Sequence, residues 1–316
     1  MEPQELNQSF LQNLAQVFVG PSRVGELLFI ALLAQCHVLV EDVPGVGKTT
    51  LVKAVAKLTG MEFKRIQFSP DLLPGDVLGA GIWNPGTRTF DYHPGPIQTQ
   101  CLLADELNRG STRTQAAFLE AMQEGQVTVD GHTHGLPQPF WVVATQNPLD
   151  YSSTFMLPEA ELDRFGISLG LGYPSIEDEQ LILNNHRTRS LTQNPTQDLT
   201  PLFTSQTLLE LQNQTNQVQV SPAITTYLAQ LADQTRRTKA LNHGMSPRAT
   251  IHLMKLAQAR ALVSGRKVVL PEDLRACWIP CLSHRLSLSG ETRLGEQPLE
   301  TILLQLFDKT PVPGPA

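Results

Sequence analysis

Val38-Leu39-Val40-Glu41-Asp42-Val43-Pro44-Gly45-Val46-Gly47-Lys48-Thr49-Thr50 carries a short apolar strand into a glycine-containing loop and then into a helix. Glycines let a backbone approach an anion closely, and the N–H groups at a helix N-terminus point toward it. The stretch therefore reads as a phosphate cradle built from Pro44, Gly45, Val46, Gly47, Lys48, Thr49 and Thr50. Lys48 is expected to reach the β- and γ-phosphates of a nucleotide, and Thr49 to ligate Mg2+.

One position departs from the usual G-x-x-x-x-G-K-[ST] pattern, because Asp42 stands at the first glycine. Asp tolerates a left-handed turn, so that conformation is expected of it. Its carboxylate must point away from the phosphates, since two negative groups at that range repel. Leu51, Val52, Val55 and Leu58 continue at helical spacing, and Gly60 supplies the stop.

The 316 residues suffice for two domains, and 41% hydrophobic with 17% charged residues describes an ordinary globular protein. The formal charge of −6 gives no reason to expect nucleic acid or an anionic membrane as the main partner. Residues 1–16 lack the basic start and apolar run of a signal peptide, and the apolar stretch 27–34 is too short to span a bilayer. A cytoplasmic protein is expected. Cys277, Cys281 and His284 lie close together, but no second Cys/His pair completes a tetrahedral metal site, and small buried residues are expected there.

Up to about residue 173 strand-like and helix-like segments alternate, the pattern of a parallel sheet flanked by helices. Strands are expected at 38–41, 63–68, 101–105, 140–145 and 167–171. Asn84-Pro85-Gly86-Thr87 separates two short β-like runs, and Asp130-Gly131 separates two more, so two hairpins are expected. Residues 174–220 open with a polar helix and then read as a linker or loosely packed segment, rich in Gln, Asn and Thr, around one helix at 206–214. Residues 221–309 read as an all-helical domain. Pro222, Pro247 and Pro271 open its helices, Ser221 and Ser246 cap the first two, and Pro280 should kink or end the third early. The Pro/Gly-rich end, 310–316, reads as a disordered tail.

Leu102-Leu103-Ala104-Asp105-Glu106 is an apolar strand ending in two acids. Paired with Gly-Lys-Thr, the pattern assigns Asp105 to the metal and Glu106 to orienting the attacking water. Asn147, after the apolar run ending at Thr145, is placed to bond the γ-phosphate or hold that water.

These motifs together resemble the MoxR family of AAA+ ATPases. The likeness runs through Glu41 to Thr49, Gln67-Phe68-Ser69-Pro70-Asp71-Leu72-Leu73-Pro74 and Ala104-Asp105-Glu106-Leu107-Asn108-Arg109. It continues in Leu119-Glu120-Ala121-Met122-Gln123-Glu124, Ala144-Thr145-Gln146-Asn147-Pro148, 157–165 and Ser246-Pro247-Arg248-Ala249. The resemblance implies a P-loop NTPase (AAA+) α/β fold with a small helical lid, using ATP and Mg2+. It further implies that Arg164 is an arginine finger reaching ATP on a neighbouring subunit, and that Arg248 is a lid arginine touching the nucleotide of its own subunit. A homo-oligomer, in the form of a hexameric ring, and a protein client, often one with a von Willebrand A domain, follow from the same likeness. The two hairpins match inserts that face the central channel. Ser153 and Glu161 stand where relatives often have Gly and Gln, near the subunit interface. Two other functions compete with a remodelling ATPase: a nucleotide-dependent assembly module with incidental turnover, and a DNA motor, against which the acidic balance argues.

Overall fold

The computed structural model describes residues 2–42, 45–147, 155–188, 195–293 and 297–312. The chain starts with helices α1 (Pro3–Leu14) and α2 (Ser22–Leu33), then alternates strand and helix through β1 (Val38–Glu41), α3 (Lys48–Leu58) and β2 (Phe63–Gln67). A short helix α4 (Pro74–Leu78) leads into the hairpin β3 (Gly79–Asn84) and β4 (Thr89–Pro94), followed by β5 (Cys101–Asp105) and α5 (Thr112–Glu124). The second hairpin is β6 (Gln126–Val129) and β7 (His132–Gly135), after which come β8 (Trp141–Gln146), α6 (Glu159–Leu162) and β9 (Ile167–Leu169). Helices fill the remainder: α7 (Ile176–Thr188), α8 (Ser205–Gln217), α9 (Pro222–Arg237), α10 (Pro247–Val263), α11 (Pro271–Leu282), α12 (Gly290–Arg293) and α13 (Leu299–Lys309).

Five strands form one parallel sheet in the order β2-β5-β8-β1-β9. Side chains alternate across a strand, so β1, β5 and β8 divide their apolar residues between two cores. Val38, Val40, Cys101, Leu103, Trp141, Val143, Ile167 and Leu169 face one cluster, which also takes up α1, α2, α3 and the C-terminal helices. Leu39, Leu102, Ala104, Val142 and Ala144 face the other, completed by Phe118, Leu119 and Met122 of α5. With both faces covered, the inner strands β1, β5 and β8 are nearly continuous apolar runs, as parallel sheets require, whereas the edge strand β2 carries Lys64, Arg65 and Gln67.

Both hairpins form where the sequence places them. Asp130 and Gly131 take positive φ of 49° and 79°, which is the two-residue turn that matches strand twist. The hairpins touch each other, Tyr92 stacking on His134 with ring centroids 3.9 Å apart.

Among the C-terminal helices, the structure corrects the expected packing of α8. Within the stretch read as a loose linker, α8 is built into the core: Leu208 and Leu211 are buried, and Gln212 donates through Nε2 to the carbonyl of Leu32 at 2.9 Å. The helix expected at 206–214 is present, but the Asn/Gln/Thr-rich sequence concealed that its inner face is packed and that the Gln212 amide satisfies buried backbone. Helix α11 ends at Leu282, two residues past Pro280, the early end expected of that proline. The caps are as expected, Ser221 Oγ accepting from the N–H of Ile224 and Ser246 Oγ from that of Ala249. Of the tail, Thr310 is buried, whereas residues 313–316 lie outside the described residues. Among the described residues no helix is long and apolar enough to cross a membrane.

His284, just past α11, is 7% exposed, and burial together with the Arg285 charge lowers its pKa from 6.5 to about 3. Below pH 6.5 the unfolded chain takes up a proton there that the fold refuses. The unfolded state then binds more protons, and stability drops by about 1.4 kcal/mol from this group for each unit that the pH is lowered. Urea unfolding between pH 6.5 and 4 should show the loss, with a shallower slope in His284→Asn; identical slopes would refute the assignment.

Candidate nucleotide site

The site gathers at the carboxyl ends of β1, β5 and β8, where open parallel sheets present ligands. Gly45, Gly47, Lys48, Thr49, Thr50, Arg65, Gln67, Asp105, Glu106, Thr145 and Asn147 line one pocket there. Gly45 and Gly47 take φ of 90° and 84°, which a side chain would strain, and Gly47 caps α3 so that its first turn opens toward the pocket. Val46 turns the other way and packs against the core. Pro44, assigned to the cradle from sequence, lies outside the described residues.

Asp42 is 8% exposed and is not among the residues with positive φ, so the expected left-handed turn is corrected. Its place is set by hydrogen bonds instead. Oδ2 accepts from the N–H groups of Leu171 and Gly172, at 2.6 and 2.9 Å, just after β9. The carboxylate thus points toward that backbone, while the Asp42 carbonyl receives Lys48 Nζ at 2.9 Å. Burial lowers the Lys48 pKa, and Asp42, Asp105 and Glu106 pull it back up, so a compact cation is held facing the acids.

The acids are themselves fixed by neighbouring strands. Asp105 Oδ2 accepts from Arg65 through Nε at 3.1 Å and Nη2 at 2.6 Å, and Oδ1 accepts from Thr145 Oγ1 at 2.6 Å. Glu106 sits in the left-handed region with φ 54° and ψ 48°, a conformation uncommon outside glycine, which ends the strand and turns its side chain. Its N–H donates to Thr145 Oγ1 at 2.8 Å. Oε2 accepts from Gln67 Nε2 at 2.7 Å and from Arg109 Nη1 at 2.9 Å. Asn147 lines the pocket, its carbonyl accepting from Asn108 Nδ2 at 3.3 Å.

Sequence reasoning gave no role to Arg65, Gln67 or Thr145. Gln67 and Thr145 lay inside the recognised motifs, and the signal was sheet register: Gln67 pairs with Asp105 across β2 and β5.

Neither Arg164 nor Arg248 is among the residues that line this pocket. Arg164 follows α6 and donates through Nη1 to the carbonyl of Leu119 at 3.0 Å. Arg248, expected on its own subunit's nucleotide, donates to Gln123 Oε1 at 3.2 Å and lies 3.9 Å from Asp163 Oδ2. The acid adjoining Arg164 draws it there. Glu161 also faces this patch: burial raises its pKa and the Arg164 charge opposes the rise. Ser153 lies outside the described residues.

Asp42→Ala would leave the Leu171 and Gly172 N–H groups without that acceptor. A loss of about 1–3 kcal/mol in stability is expected, read from urea unfolding, and an unchanged midpoint would show the tie to be idle.

Residues 37–167 match the model of the ATPase family associated with various cellular activities, and residues 233–302 match the AAA lid domain. The chain is 44% identical over 303 residues to YeaC of Bacillus subtilis, itself uncharacterised, spanning 96% of this chain and 93% of that protein. It is 36% identical over 307 residues to the chaperone MoxR1 of Mycobacterium tuberculosis, spanning 94% of this chain and 80% of that protein. The crystal structure of a proposed ATPase from Cytophaga hutchinsonii is 32% identical and superposes with a TM-score of 0.90, over 99% of this chain and 96% of that one. The likeness covers nucleotide-binding unit and lid alike, and the chain belongs to the MoxR family of AAA+ ATPases.

Proposed function

We propose that the chain hydrolyses ATP in a Mg2+-dependent manner as a ring of identical subunits, six by the family's habit, and uses the cycle to remodel a partner protein. The observation that carries this reading is the convergence of Lys48, Thr49, Asp105, Glu106 and Asn147 on one pocket at the sheet's carboxyl edge. In it, Lys48 and the loop N–H groups hold the phosphates. Glu106 accepts a proton from water as its oxygen bonds to the γ-phosphorus, and the bond to the ADP oxygen breaks, giving ADP and phosphate. Asn147 orients that water or the γ-phosphate.

Thr49 and Asp105 offer the hard oxygen donors that Mg2+ takes beside phosphate and water. Asp105 Oδ2 already faces the Arg65 guanidinium, so this position is built to sit against a cation. The ion would neutralise charge on the phosphate oxygens.

Arg164 is read as the arginine finger for a neighbouring subunit, supported by its place outside its own pocket. The Asp163 contact puts Arg248 on the same patch, which favours a role at that junction over one on its own nucleotide. Residues 1–173 are read as the ATPase unit and 221–309 as the lid, in keeping with the two family matches.

The relative named a chaperone supports a protein client, and the family likeness favours one with a von Willebrand A domain. A contact for such a client is available on the first hairpin, where Ile82, Trp83 and Phe90 are 52%, 51% and 64% exposed and Trp83 packs edge-on to Phe90. Large apolar groups exposed together mark interaction sites.

In Glu106→Gln, turnover is expected to fall about 10²-fold or more while ATP still binds. An unchanged rate would sink the catalytic assignment. Arg164→Ala should lower kcat about 10³-fold or more with nucleotide affinity kept, and normal turnover in that variant would remove the finger.

A further inference from the structure

Groups from the C-terminal helices converge on both residues that flank Arg164. Ser246 Oγ, the cap of α10, lies 2.8 and 3.0 Å from the two carboxylate oxygens of Asp163 and donates to them. Arg285, beyond the end of α11, brings Nη1 to 3.6 Å from Asp163 Oδ1. On the other side of Arg164, Arg285 Nη2 donates to the carbonyl of Phe165. One guanidinium thus stands as ion-pair neighbour to the residue before Arg164 and bonds the carbonyl of the residue after it.

That guanidinium is 5% exposed, in surroundings that offer it little charge. Its Nε donates to His284 Nε2 at 3.1 Å, and Nη2 lies 2.6 Å from His252 Nδ1. Burial, then the Arg285 charge, push His284 and His252 down to about 3 and about 2, so both rings stay neutral; His252 faces the guanidinium through Nδ1, while His284 Nε2 lies between Arg285 Nε and the Phe165 carbonyl, 3.0 Å from the latter. Buried ion pairs of this kind are poor stabilisers, and apolar residues of equal volume often do better. Arg has a rigid fork that reaches two acceptors at a fixed angle, which an apolar side chain or a Lys cannot do. Position is what this residue supplies.

Resting on the reading of Arg164 as the finger offered to a neighbouring subunit, we propose that Arg285 is its positioning residue. It holds Asp163 and the Phe165 carbonyl together and thereby ties the aim of Arg164 to the placement of the lid. Displacement of α11 then changes catalysis in the neighbouring site without any contact to nucleotide. A misplacement of about 1 Å can cost 10²-fold in rate, so a loose grip suffices to switch the finger off.

The test is complementation between full-length variants. Arg285→Met should lower kcat about 10²-fold with ATP affinity and KM kept. Mixed with Glu106→Gln, which has a dead site and a sound finger, it should regain turnover several-fold above either parent, because sites with intact Glu106 now receive a well-aimed Arg164. Asp163→Asn, a milder change, should behave the same way if Arg285→Met does not fold. The mixture of Arg164→Ala with Glu106→Gln separates the two ideas. If that pair complements and neither the Arg285 nor the Asp163 variant does, the positioning role is overturned and the finger stands. If no pair complements, the finger reading falls and takes this proposal with it. Wild-type kcat in Arg285→Met alone would also overturn it.

Discussion

Asp105 closes a strand that is buried along its whole length and Glu106 follows it directly, which places two adjacent carboxylates at the rim of the core. Carboxylates in that position repel each other and lose hydration, so the fold must bring opposing charge and donors to them. It does so from the neighbouring elements: Arg65 and Gln67 at the end of β2, Thr145 near the end of β8, and Lys48 at the start of α3. Sheet order is therefore inseparable from the site. Moving β2 or β8 one place would strip one acid of its partner.

The same constraint accounts for Asp42. A third acid near the loop would add to the repulsion if it faced the phosphates. Its carboxylate is spent instead on two backbone N–H groups after β9, which ties the loop to the strand leading out toward the C-terminal helices. What looks like an irregularity in the motif is a brace between the cradle and the far edge of the sheet.

Much of this was legible in sequence because it is local. Gly45, Gly47 and Lys48 announce themselves by spacing, Asp130-Gly131 by turn chemistry, and Ser221 and Ser246 by their place before Pro. What escaped was long-range. Arg65 meets Asp105 only through strand register, and α8 carries its buried face in a Gln-rich stretch that reads as linker. Arg248 illustrates the difference most clearly. A motif places it in the lid, but only the fold shows that the lid brings it to within 3.9 Å of Asp163.

Cationic groups are thus divided between two places, Lys48 and Arg65 in the pocket, Arg164, Arg248 and Arg285 around Asp163. The central claim is that the pocket of one copy is completed by the patch of another. Turnover per subunit measured across a dilution series, with assembly followed in parallel by sedimentation, tests it most directly. The account predicts that specific activity rises with concentration in step with assembly and vanishes in the dissociated chain. Constant turnover per subunit down to concentrations where only monomer sediments would contradict it.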